Sequence, residues 1–126
     1  MQIKIDTKEK FNVLTPLNDD FTDNIAYELN EKVEEILRSG NKNIIIDLKN
    51  VLTTGSEKLN TLAEMHSKVY AQNASMVICN IQPEIKRQLT HADLWDNLNI
   101  TPTESEAWDM VQMEEMEREM FAEDEE

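Results

Sequence analysis

Two short runs, NIIIDL (43–48) and SMVICNI (75–81), are almost continuously apolar, and each lies between segments whose apolar residues recur at three- and four-residue spacing. A run of that length with no polar face belongs to a strand covered on both sides, which requires helices above and below a sheet. The intervening segments supply them. Ile25, Leu29, Val33, Ile36 and Leu37 mark a first helix, capped by Thr22 or Asp20 and stopped at Gly40. Leu59, Leu62, Ala63, Met65 and Val69 mark a second, and Pro83 suits the first turn of a third through Ile85 and Leu89. Thr103 followed by Glu106 is the capping-box signature of a fourth.

At the N-terminus, QIKID (2–6) alternates and KFNVLT (10–15) follows a polar turn, which predicts a hairpin; LNI (98–100) reads as a weak last strand. The order is β-β-α-β-α-β-α-β-α. It defines a single α/β domain with a mixed, mostly parallel sheet of about five strands and about four helices. The expected domain covers 1–112, and 113–126 is an acidic extension of the last helix ending in a frayed tail, AEDEE, after Phe121.

Charge narrows the partners. With 12 basic and 26 acidic residues the net charge is −14, which repels nucleic-acid phosphates and anionic membranes. From Met113 onward there are eight acidic residues and one arginine, 8 − 1 = 7 of the excess negative charges. Cys79 is the sole cysteine, so no internal disulfide can form. The N-terminal sequence lacks an apolar signal core and no apolar run reaches membrane-spanning length, which predicts a cytoplasmic protein without membrane insertion.

The chain's other glycine, Gly55, stands in KNVLTTGSEKLNTLAEM (49–65), where a strand passes into the second helix. Two readings fit Gly55-Ser56-Glu57. In the plain one, Gly55 makes the turn, Ser56 caps the helix and Glu57 is an ordinary first-turn acid. In the other, the positive end of the helix is a place prepared for a negative group.

No other residue set carries chemistry. His66 and His91 fall on different helices with no metal-like spacing, and Asp19-Asp20 is explained by a turn. Cys79 is expected in the core. No catalytic constellation, cofactor motif or metal site is expected. Met110, Met113, Met116 and Met120 form a methionine row on the last helix, beside a second stripe of Ala107, Trp108 and Val111; either stripe could face the sheet, the other lying along the domain or forming a pliable contact surface.

In order and spacing, NIIIDLKNV (43–51) and MVICNIQPEIKRQLTHADL (76–94) resemble the STAS domain, in particular the single-domain anti-sigma-factor antagonists of bacteria, over roughly Ile3 to Val111. The former resembles the family's strand ending in an Asp-Leu-x-x-Val turn. The latter is similar to its strand, x-Pro turn and Val/Ile-Lys/Arg helix. In that family an Asp-Ser-Ser-Gly motif begins the second helix, and its second serine is phosphorylated by a kinase that is also the anti-sigma factor. Counted without gaps from Asp47, the motif's aspartate is replaced by Gly55, its first serine is Ser56, the acceptor serine is Glu57 and the glycine is Lys58. The acceptor place thus holds a carboxylate, with about one negative charge against the roughly 1.5 to 2 of a phosphoserine. A slip of one residue would return Ser56 to the acceptor place, so Ser56 remains the candidate phosphoacceptor, with Thr53 and Thr54 as neighbouring hydroxyls.

The resemblance implies a non-enzymatic regulator of transcription that binds an anti-sigma factor or a related kinase-type protein through Thr53, Thr54, Gly55, Ser56, Glu57 and Lys58, without the usual serine phosphoswitch. A monomer or weak homodimer is expected. The alternative is a scaffold or accessory STAS subunit of a larger complex, such as a lipid-transport ATPase, which loss of the acceptor serine favours.

Overall fold

The computed structural model describes residues 2–124; the side chains of Ser56, Glu57 and 121–124 lie outside that description. Strands β1 (Ile3–Thr7) and β2 (Asn12–Pro16) form an antiparallel hairpin. The chain continues through β3 (Asp20–Phe21), α1 (Asp23–Arg38), β4 (Asn43–Asp47) and β5 (Thr53–Thr54). A 3-10 turn at Ser56–Leu59 leads into α2 (Asn60–Ala71), followed by β6 (Ser75–Cys79), α3 (Pro83–His91), a second 3-10 turn at Trp95–Asn97, β7 (Ile100–Thr101) and α4 (Glu104–Asp124).

The main sheet runs β1-β2-β4-β6-β7, parallel at every pairing except the hairpin. NIIIDL is its central strand. Its alternate residues go to opposite sides: Ile44 and Ile46 join Leu14, Met76 and Ile78 under α1, α2 and α3, whereas Ile45 joins Val13, Val77 and Cys79 under Ala107 and Val111 of α4. This period-two division explains why the strands carry no polar face. Three helices cover one side of the sheet and α4 covers the other.

The helix ends follow their sequence signals. Thr22 Oγ1 accepts from the amide of Ile25 at the start of α1, so Thr22 rather than Asp20 is the cap. Gly40, at φ +95°, closes the same helix, with Asn41 N donating to Ile36 O and Gly40 N to Leu37 O. Thr103 Oγ1 accepts from the Glu106 amide, while its hydroxyl donates to the Glu106 carboxylate. The glutamate of this box therefore binds the cap's side chain.

Beyond its apolar first half, α4 is held by polar contacts to strand ends. Arg118 donates to Ser75 Oγ at 2.5 Å and Asn43 Oδ1 at 3.0 Å, and Asn43 donates to Glu115 at 2.9 Å. Glu114 accepts from Tyr70 and Asn99, both at 2.6 Å, and Asn99 pairs with His66 at 3.0 Å. His66 is thus a partner inside a structural network, and His91 is the exposed last residue of α3. Three of the four methionines in the row lie outward: Met113, Met116 and Met120 are exposed, whereas Met110 is half-buried against the stripe of Ala107 and Val111, which is the one on the sheet. Residues of the expected acidic tail are helical through Asp124; their side chains, and residues 125–126 altogether, lie outside the described residues.

Candidate functional site

The segment following the central strand is fixed by a buried carboxylate. Asp47, 2% exposed, accepts from the Lys49 amide at 3.0 Å and from the Asn80 carboxamide at 3.2 Å. Asn80 sits at φ +56°, a left-handed conformation that asparagine tolerates, in the turn after β6. Gln82, just before α3, donates to the Lys49 carbonyl at 2.6 Å. The loops after two adjacent parallel strands are therefore bound to each other. They lie at the carboxyl ends of the strands, where open α/β sheets place their binding sites.

From this base the chain runs along the loop after β2. Leu52 and Thr53 both donate their amides to Asp19 O, Thr53 Oγ1 reaches Asp20 Oδ1 at 3.2 Å, and Thr54 Oγ1 reaches Phe21 O at 3.0 Å. Those contacts form the small parallel sheet of β3 and β5, separate from the main sheet. Thr53 is exposed and Thr54 buried. The strand that precedes the joint is therefore β5, not the central β4.

At the joint, Gly55 is the N-cap of the 3-10 turn, with φ −76° and ψ 137°. That is extended backbone open to any residue, and an added Cβ would meet only the Lys58 side chain at 3.7 Å, an ordinary contact. Gly55 therefore stands at the turn, as the plain reading has it, but the backbone there does not require glycine. Ser56 is the first residue of the turn instead of its cap, and regular α-helix begins only at Asn60. What the Ser56 and Glu57 side chains contact falls outside the described residues.

Lys58, the last of the six candidate residues, places Nζ 3.6 Å from Asp23 Oδ1 and so ties the start of α2 to the start of α1. Behind the joint, α3 packs against β5 and the 3-10 turn, and Thr54, Arg87, Gln88 and His91 line a cavity of about 260 Å³. Leu17 and Leu52, about half exposed, stand in the two neighbouring loops. Sequence reasoning brought Thr53 to Lys58 together but missed these leucines, Asn80 and Gln82. Two isolated loop leucines carry no periodic signal, and a left-handed asparagine is recognised only from its backbone.

Cys79 lies beneath this end of the sheet, at the end of β6. Burial, with Asp47 and Glu104 nearby, pushes the Cys79 thiol up to about 12, which keeps it protonated and poorly nucleophilic. Among the described residues no group of three or more His, Cys, Asp or Glu could hold a metal ion, and no helix is long and apolar enough to cross a membrane.

The STAS domain family matches residues 2–107, and the chain belongs to that family. Among solved structures it is similar to an anti-sigma factor antagonist from Mycobacterium paratuberculosis, with 18% identity over 87% of this chain and 92% of that one, TM-score 0.74. It is also similar to a serine-to-glutamate variant of RsbS from Moorella thermoacetica, with 16% identity over 89% and 96% of the two chains, TM-score 0.74. A third similar structure is the murine Solute Carrier 26 family member A9 anion transporter, where 16% identity covers 82% of this chain but 18% of that one, TM-score 0.65. At such identities these likenesses concern the fold. No curated protein matches in sequence.

Proposed function

We propose that this chain is a non-enzymatic regulator that binds a protein of the kinase-type anti-sigma-factor class through the joint from Thr53 to Lys58. The observation that supports this most is the way the joint is held. Thr53 and Thr54 are held by β3, Lys58 Nζ lies 3.6 Å from Asp23 Oδ1, α3 packs against β5 and the 3-10 turn, and Leu52 just before the joint is exposed. A preorganised, partly apolar surface of this kind binds a protein with little loss of loop entropy. The likeness of fold to a protein described as an anti-sigma factor antagonist supports an anti-sigma factor as the partner.

With Glu57 in the acceptor place, binding proceeds without a serine phosphoswitch, in the cytoplasm, and its output is transcriptional. Titrating the chain with kinase-type anti-sigma factors from the same genome, with and without ATP, tests the reading by native mass spectrometry. A one-to-one complex and no phosphate on the chain are expected. Phosphate on Ser56 would restore the switch, and absence of any complex would remove the partner class.

A second reading, an accessory STAS subunit of a larger assembly, is favoured by the occurrence of this fold within a murine anion transporter. Co-purification with transporter subunits in place of an anti-sigma factor would establish it.

A further inference from the structure

The outer face of α4 is unlike the rest of the surface. Met113, Met116 and Met120 are 61%, 62% and 61% exposed and follow one another at i, i+3 and i+7, so they form one continuous row opposite Ala107 and Val111. Beside the row, α4 and the edge strand β7 border a groove of about 510 Å³ whose lining includes Met110, Met113 and Glu114. Its rim carries Glu106, Asp109 and Glu117, and no lysine or arginine lines it among the described residues. Methionines and carboxylates side by side specify what fits.

We propose that this face docks a basic amphipathic helix belonging to a partner protein, with the helix's apolar stripe on the methionine row and its lysines and arginines toward Glu106, Asp109 and Glu117. Methionine is unbranched and polarizable, so a row of it adapts to the side chains laid against it. Rim carboxylates set the sign of the partner and its approach. A second copy of this chain is a poor occupant. The same faces would bring together two segments that each hold eight acidic residues and one arginine from Met113 onward. The joint at Thr53 to Lys58 adjoins α2 and α3 on the other side of the sheet, so the two surfaces are separate and this inference does not depend on the first.

The full chain, labelled with 13C at the methionine methyls, is titrated with a synthetic amphipathic peptide of leucine and lysine at helical spacing, and with a peptide of the same composition in scrambled order. The methyl signals of Met113, Met116 and Met120 are expected to shift with the amphipathic peptide, while those of the buried Met65 and Met76 stay in place. Joint replacement Met113→Gln, Met116→Gln and Met120→Gln should weaken binding on the order of tenfold or more with the melting temperature unchanged, since glutamine is as good a helix former as methionine. Added salt should weaken it too. Equal binding of the scrambled peptide, or undiminished binding to the triple variant, would overturn the proposal. Methyl shifts that appear with protein concentration alone would overturn it in favour of a second copy.

Discussion

The Asn80 carboxamide donates to Oδ1 of Asp47 at 3.2 Å, joining the turn after β6 to the end of the central strand β4. The same oxygen accepts the Lys49 amide. One buried carboxylate thereby organises both loops beneath the joint.

Removing that carboxylate should be costly. Asp47→Ala strips two donors of their acceptor and is expected to lower unfolding free energy by about 1–3 kcal/mol. Asp47→Asn keeps an oxygen acceptor and should lose less. Urea unfolding of the three proteins checks the order; equal stabilities would mean that the loops hold without Asp47.

The second half of α4 offers a separate test. Arg118→Ala leaves the Asn43 and Ser75 side chains, which are 5% and 0% exposed, without a guanidinium donor. A loss of about 1–3 kcal/mol is expected. A chain ending at residue 112 should lose more, because Glu114 and Glu115 go as well. Unchanged melting of that shortened chain would make 113–126 a true appendage to a self-sufficient domain.

Much of this architecture was legible in the sequence. Ile44 to Ile46 announced a strand covered on both sides because no residue in it is polar, and Thr22, Gly40 and Thr103 marked helix ends because capping is local chemistry. Strands β3 and β5 were not legible: each has two residues, and their pairing depends on loops 33 residues apart. The 3-10 turn at Ser56–Leu59 passes for the start of a regular helix, since the apolar spacing of Leu59 and Leu62 does not distinguish the two. Gly55 draws attention by its rarity, yet its backbone is ordinary extended chain. Arg118 has the sequence setting of a solvated acidic helix because its partners Asn43 and Ser75 precede it by 75 and 43 positions. The methionine row was visible as a row; its outward orientation was settled only by the packing of Ala107 and Val111.

Cys79 should behave as a core residue with a measurable titration. Its thiol is pushed up to about 12 in the folded chain, against an ordinary value of about 8.5. The folded value is the higher one. Its contribution to stability is therefore complete below the ordinary value and declines as pH rises from there toward 12. Thiol reagent at pH 8 should react slowly with native protein and promptly in urea. Rapid reaction of the native chain would place the sulfur at the surface.

If the joint binds the partner as proposed, affinity resides at Thr53 to Lys58. Calorimetric titration of the kinase-type anti-sigma factor into wild type, Glu57→Ser, Glu57→Gln and Lys58→Glu measures this, with Glu9→Gln in the exposed β1–β2 turn as a surface control outside both proposed contact faces. Glu57→Gln separates loss of charge from gain of a hydroxyl. The three joint variants are expected to change affinity by about tenfold or more, each tenfold being about 1.4 kcal/mol, with folding intact and the Glu9 control unchanged. Equal affinities for all five proteins would contradict it.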